Sequence, residues 1–362
     1  MKTILHLFRT EKFTNDFICF INENSNYKHT FWVYGESDCD YSQEYLKYEN
    51  VKVFPRIDIK LNKSGTFKQL QMYDLIFYHG IFDNCIIDYF YTHRLLLKKL
   101  MLYFWGGDIP VLGDWKERLK KKYVVKNATS VGTIIPKDYE SLQKLYAPKG
   151  SHFNIQYYSD EIVEFINKRI EKERSFTESI NIQIGNSATA TNDHIYILDL
   201  LKKFKEENIN IYVPLSYGDV SYAESVIEYG KAIFGDKFIP LQKFMSLENY
   251  NIFLESMDVA IFNMCRQQAM GNIFTLLGTG CKIYLHPNGK IIEYLRKSSF
   301  IVMDTNEISN MSIGEFFLFS EEQKQHNKKL VCEKFDKEKY VKGWEDLFEG
   351  LLDKIEGGDE KS

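Results

Sequence analysis

The feature that most limits how this chain can fold is a strand–helix rhythm that runs twice. Short apolar runs open at Thr3–Phe8, His29–Tyr34, Val51–Phe54 and Asp74–Tyr78, and helix-patterned segments such as Asn15–Glu23 fall between them. Another apolar run, Leu95–Trp105, leads into Gly106-Gly107-Asp108, and Ser130–Ile135 follows as a short strand. Gly150–Asn154 reads as a link, and residues 162–175 as a charged connector. The rhythm then restarts: strands at Ile180–Ile184, Ile209–Val213, Asp258–Phe262 and Cys281–Leu285, and helices at His194–Lys205, Leu247–Ser256 and Gly271–Gly278. Apolar strands alternating with helices imply βαβ units and parallel sheets. The expectation is an α/β protein of two similar halves, residues 1–160 and 176–335. An amphipathic tail over Glu333–Ile355 carries Trp344, Leu347, Phe348, Leu351 and Leu352 on one face. Its core at about 336–355 is expected to pack back on the first half.

Charge and cysteine content exclude several function classes. The net charge of −4 over 362 residues argues against nucleic acid as a partner. Six dispersed cysteines with no Cys-x-x-Cys argue against a disulfide framework or a zinc site. Charge returns at Arg9, Glu11 and Lys12, so the opening residues do not read as a signal peptide. No apolar run approaches ~18 residues, the length of a spanning helix. A soluble chain on the cytoplasmic side is the expectation.

Ligands of open parallel sheets bind at the carboxyl ends of the strands, so the strand exits carry the functional reading. In the second half, Ile180–Ile184 breaks at Gly185 into Asn186, Ser187, Thr189 and Thr191, with Asn192 as the expected N-cap. Small hydroxyl and amide side chains after a glycine suit an anion. Tyr217-Gly218 follows Ile209–Val213, where a base or sugar could approach. After Asp258–Phe262 come Arg266, Gln267 and Gln268, and then Gly271-Asn272 opens a helix. A guanidinium beside a helix N-terminus is the arrangement a diphosphate requires. In the first half, His79 and Asp108 follow apolar runs and are candidates for a general base. No Asp-x-Asp stands at a strand end; Asp38-Cys39-Asp40 lies in a polar loop. Neither a metal nor another cofactor is therefore expected.

Taken in order, His79-Gly80, WGGD at Trp105–Asp108, IGNS…NDH at Ile184–His194, Val213-Pro214 with SYG downstream, and RQQ-x-x-G at Arg266–Gly271 form a recognisable series. It resembles the TDP-N-acetylfucosamine:lipid II N-acetylfucosaminyltransferase family, which builds the repeat unit of enterobacterial common antigen. That family's pattern is HG, WGAD, VGNSGDxSNEH, VPMGY and FARQQGIGT. This chain departs from it at WGGD, at Ala-Thr after GNS, and at RQQAMGN.

The resemblance implies a glycosyltransferase-B architecture, two Rossmann-like domains facing across a cleft, with the nucleotide sugar (TDP- or UDP-linked) on the C-terminal domain. The acceptor, a saccharide on polyprenyl diphosphate, would bind the N-terminal domain. Arg266, Gln267, Gln268, Gly271 and Asn272 would then hold the diphosphate, and Asn186 and Ser187 phosphate or ribose, with His194 and Tyr217 alongside. Asp108 would activate the acceptor hydroxyl, His79 being the alternative. A sugar-nucleotide epimerase or a non-catalytic nucleotide-binding scaffold could share this architecture.

One further segment bears on localisation. Lys116, Arg118, Lys120, Lys121 and Lys122, with Arg94, Lys98 and Lys99 upstream, form the most basic stretch of an acidic chain. They are expected to meet anionic lipid on the cytoplasmic face of the bacterial inner membrane.

Overall fold

The computed structural model describes residues 1–359 except 12, 36–42, 111–112 and 169–178. The Asp38-Cys39-Asp40 triplet and the second half of the charged connector lie outside the described residues. The chain forms two compact units, Met1–Ser159 with Lys337–Ser362, and Asp160–Asp336.

The first unit holds a seven-stranded sheet. Its strands are β1 (Thr3–Arg9), β2 (Lys28–Tyr34), β3 (Val51–Phe54), β4 (Leu75–His79), β5 (Leu100–Phe104), β6 (Ser130–Thr133) and β7 (Ser151–Asn154). They stand in the order β3-β2-β1-β4-β5-β6-β7, and every pairing is parallel. β4 and β5 are buried at all five positions each, because helices cover both faces of a parallel sheet. The expected link at Gly150–Asn154 is instead the edge strand β7. Its polar sequence, SHFN, is that of an edge, which needs no apolar second face.

The second unit holds β8 (Ile180–Ile184), β9 (Ile209–Pro214), β10 (Phe238–Leu241), β11 (Val259–Phe262), β12 (Lys282–Leu285) and β13 (Met303–Asp304). Their order is β10-β9-β8-β11-β12-β13, again all parallel. Both sheets reverse direction of growth once, between β1 and β4 and between β8 and β11. A crevice opens at such switch points, outside the carboxyl ends of the strands.

Aromatic side chains fill much of the first unit. Phe17, Phe77 and Tyr103 contact the Trp344 ring. Trp344 lies on the helix Lys337–Asp359, whose Leu347, Phe348, Leu351 and Leu352 are also buried. Its indole N–H donates to the Gln156 carbonyl (3.3 Å). Among the described residues, no helix is long and apolar enough to cross a membrane.

Candidate active site

The exits of β8 and β11 flank the switch point of the second sheet, and their side chains interlock. Asn186 and Ser187, both buried, follow β8. Gln268, from the loop after β11, donates to Asn186 Oδ1 (2.8 Å), and Thr191 donates to Gln268 Oε1 (3.2 Å). Asn186 in turn donates to the Tyr217 hydroxyl (2.8 Å), which brings in the exit of β9. Three strand exits thus meet at Asn186. Asn192 does not cap the following helix as expected. It sits in a 3₁₀ turn, donates to the Ser187 carbonyl (3.0 Å) and accepts the Asn186 N–H (3.2 Å), so it knots the loop. Asp193, at φ +55°, occupies the cap position instead.

Gly185 explains why this exit tolerates no side chain. It adopts φ +64°, and a Cβ there would lie 2.6 Å from His194 Nε2 and 2.8 Å from Asn192 Oδ1. His194 is fully buried, with Nδ1 3.1 Å from the Tyr222 hydroxyl. Burial pulls its pKa down to about 4, so the ring is neutral at pH 7.

The helix Met270–Gly278 starts after Ala269, itself at φ +57°, and no side chain caps it. The first N–H groups of such a helix have no partner within it and carry partial positive charge. Asn272, in its first turn, donates to the Tyr250 hydroxyl (2.8 Å). Gly271 beside it is open: a Cβ added there would meet nothing within 4 Å. Arg266 is half-buried and Gln267 buried in the preceding loop.

One pattern sets this place apart. In the second unit, the buried side-chain polar atoms without a hydrogen-bond partner, among the described residues, are Gln183 Oε1, His194 Nε2, Arg266 Nε and Gln267 Oε1. All four belong to β8, β11 or the segments that follow them. A buried polar atom without a partner costs about 1–3 kcal/mol, and a ligand with several acceptors and donors removes that cost.

In the first unit, Asp108 and His79 sit at the exits of β5 and β4. Asp108 is buried and uses both oxygens on backbone: Oδ2 accepts from Ile81 N–H (2.7 Å) and Oδ1 from Trp105 N–H (2.8 Å). Burial raises its pKa to about 6 against the pull of those N–H groups and of Lys121. The carboxylate is a strut between two turns. Gly80, at φ +71°, lets the Trp105 ring lie against the first of them. His79 is fully buried, with Nδ1 2.7 Å from the Tyr157 hydroxyl and Nε2 2.9 Å from His6 Nδ1. Neither ring nitrogen is left to meet an acceptor hydroxyl directly, which corrects the expectation for His79.

The basic stretch is also corrected. Lys121 is buried and donates to the Asp108 carbonyl (2.6 Å), with the Ile81 and Pro110 carbonyls at 3.4 and 3.5 Å. Lys99 donates to the Gln71 and Tyr73 carbonyls, Lys120 pairs with Asp88 at 2.9 Å, and Arg94 lies over Tyr91 and Tyr123. Lys98, Lys116, Arg118 and Lys122 are exposed. Composition gave no sign of two exposed apolar neighbours on the same helix, Trp115 (66% exposed) and Leu119 (57%). Their i, i+4 spacing was the available signal.

The sequence profile of the family described as 4-alpha-L-fucosyltransferase glycosyl transferase group 56 matches residues 3–351. Solved structures share the fold at low identity. A glycosyltransferase from Rickettsia africae has a TM-score of 0.68 and 12% identity, covering 97% of this chain and 98% of that one. Sucrose-phosphate synthase from Thermosynechococcus elongatus gives 0.66 and 11%, covering 97% and 99%. A trehalose-6-phosphate structure from Escherichia coli, bound with UDP-2-fluoro glucose, gives 0.64 and 9%, covering 97% and 99%. The two parallel sheets are those of the glycosyltransferase-B fold.

Proposed function

Since the chain belongs to the 4-alpha-L-fucosyltransferase family, glycosyl transferase group 56, and is a glycosyltransferase, we propose that it moves a deoxy-amino sugar such as N-acetylfucosamine. The donor is a TDP- or UDP-linked sugar, and the acceptor a polyprenyl-diphosphate-linked saccharide of a bacterial surface polysaccharide. The observation that carries the donor site is the set of unpartnered buried polar atoms at the β8–β11 switch point. Arg266 and the N-terminus of helix Met270–Gly278 stabilise the negative charge that gathers on the leaving diphosphate as the sugar–oxygen bond breaks. Gln267 and Gln268 orient it, and Asn186 and Ser187 hold phosphate or ribose. Tyr217 offers a half-exposed ring for the base.

Arg266→Ala should weaken nucleotide diphosphate binding by roughly 1.5–3 kcal/mol, the worth of a charge-assisted hydrogen bond. The free nucleoside should lose far less. Calorimetry with both ligands decides it, and equal losses would remove Arg266 from the phosphate site. Incubating the protein with nucleotide sugars, with and without polyprenyl-diphosphate-linked saccharide, separates transfer from epimerisation and from mere binding.

Docking on the cytoplasmic face of the inner membrane is supported by the exposed side of helix Trp115–Asn127. Trp115 and Leu119 supply apolar area, and Lys116, Arg118 and Lys122 supply charge, with Lys98 nearby. Each cation near an anionic surface contributes ~1 kcal/mol, and indole rings favour the headgroup level. The protein should sediment with anionic but not neutral vesicles, and less so as salt rises. Changing Lys116, Arg118 and Lys122 together to Glu should abolish sedimentation and leave donor affinity intact. Salt-insensitive binding would remove this helix from the interface.

A further inference from the structure

A line of polar side chains crosses the aromatic core of the first unit. Trp105 Nε1 lies 2.9 Å from Tyr157 Oη, and that hydroxyl lies 2.7 Å from His79 Nδ1. His79 Nε2 is 2.9 Å from His6 Nδ1, and His6 Nε2 is 2.9 Å from His29 Nδ1. His29 Nε2 is 2.8 Å from Ser25 Oγ, which is 2.5 Å from a carboxylate oxygen of Glu345. His6, His29 and His79 are buried. Tyr157 and Glu345, near the two ends, are each partly exposed.

The ends fix the direction of every bond. An indole N–H only donates and a carboxylate only accepts. Trp105 therefore donates to Tyr157, which donates to His79 Nδ1. Each histidine must then carry its proton on Nε2 and pass the bond onward, to Ser25 and last to Glu345. With all three rings neutral, the Glu345 end alone forces this order, because Ser25 has a single proton to give and each ring then has one nitrogen left to accept. Burial favours the neutral rings the line requires: it holds His6 and His79 well below the ordinary imidazole range and His29 down to about 3. The rings of Phe8, Phe17, Phe31, Phe77 and Phe348 pack around the line. The titratable groups that face it are Tyr103 beside His79 and Tyr157, Asp108 near Tyr157, and Glu345 at the far end.

We propose that this line is a proton relay that accepts the acceptor hydroxyl's proton at Tyr157 and delivers one to Glu345. The proposal rests on the transfer reaction inferred above. Tyr157 stands at the exits of β4 and β5, beside the switch point of the first sheet. It and Trp105 are the partly exposed members of the line at that end, and of the two only the Tyr157 hydroxyl can both take and give a proton. As the acceptor oxygen bonds to the sugar and the sugar–phosphate bond breaks, the hydroxyl proton passes to Tyr157 Oη. The tyrosine's own proton moves to His79 Nδ1, and the Nε2 proton of His79 moves to His6 Nδ1. That of His6 moves to His29 Nδ1, that of His29 to Ser25, and that of Ser25 to Glu345. One proton leaves the acceptor, one arrives at the carboxylate, and the nucleotide diphosphate departs with the bonding pair. No charge remains in the core. After product release, Glu345 returns the proton along the same path and Tyr157 gives it to water, which restores every tautomer.

Glu345→Gln separates relay from scaffold. The amide oxygen still accepts from Ser25 but cannot take up a proton. Turnover should fall on the order of 10²-fold, the solvent isotope effect on turnover should vanish, and the urea midpoint and donor affinity should hold. Tyr157→Phe should lower turnover and abolish the isotope effect likewise, though with a lower urea midpoint because Trp105 Nε1 and His79 Nδ1 lose their partner. The double variant should be no slower than the slower single one. Independently, ¹⁵N-histidine spectra of the whole protein should show His6, His29 and His79 protonated at Nε2 only. Unchanged turnover and isotope effect in Glu345→Gln, or an Nδ1 proton on any of the three, overturns the relay. A wild-type protein that transfers no sugar to any polyprenyl-diphosphate-linked saccharide overturns the functional reading as well.

Discussion

Lowering the pH from 7 to 5 should destabilise the first unit of this protein by several kcal/mol, with the loss confined to the region below pH 6.5. The cause is the trio His6, His29 and His79, whose pKa values burial depresses below the ordinary imidazole value of 6.5. Above that value both the folded and unfolded chains hold these rings neutral, and the histidines add no pH dependence. Below it the unfolded chain binds protons that the native core refuses, so stability falls as pH falls. Each ring that stays neutral costs about 1.4 kcal/mol per pH unit, so three cost about 4. His194 and His152, each pulled down to about 4, act in the same direction. Asp108, raised to about 6, acts oppositely: the native state binds its proton first as pH drops, which offsets about one histidine. A domain's whole stability is typically 5–15 kcal/mol, so urea midpoints should collapse between pH 6 and pH 5. Midpoints that stay level across that range would mean the three rings are already protonated or hydrated in the native state.

These histidines also show where sequence reading stops. His6 and His29 each stand alone in an apolar strand, and a lone histidine there has no visible partner. Only the pairing of β1 with both β2 and β4 brings the three rings into line, and register is a long-range property. The strands themselves were readable because the central members of a parallel sheet are apolar on both faces, as LIFYH and LMLYF are. The edges β7, β10 and β13 were not, since an edge can carry Ser, His, Asn or Pro without loss. At the β8–β11 switch point, polar runs directly after apolar strands marked Asn186, Ser187 and the Arg266–Gln268 loop. What the sequence could not show is that Gln268 ties Asn186 to that loop, a contact across 82 positions. Asp108 shows what the sequence left out. Its place after an apolar run suggests a base, and the same place, unseen in the sequence, puts a backbone N–H group on each of its oxygens.

Neighbouring lysines should give opposite results when reversed in charge. Lys121→Glu should destabilise the first unit by about 3–5 kcal/mol, the cost of leaving a buried charge without its partner. Lys122→Glu should change stability by no more than about 0.5 kcal/mol, as exposed substitutions do. The helix Trp115–Asn127 explains the difference. Val124, Val125 and Ala128 are buried at three, four and seven positions after Lys121, so Lys121 lies on the same inward face. Its ammonium meets the carbonyls of Asp108, Ile81 and Pro110, closing the exits of β4 and β5 from below. A carboxylate there would face those oxygens and add a second negative charge near Asp108. Lys122, one residue on, is rotated out to solvent. Urea titration of the two single variants measures both numbers. The comparison also governs the membrane experiment, because a charge reversal that includes Lys121 would lose vesicle binding by unfolding. Equal midpoints for the two variants would mean that Lys121 leaves the carbonyl cluster in solution and belongs, after all, to the exposed basic face.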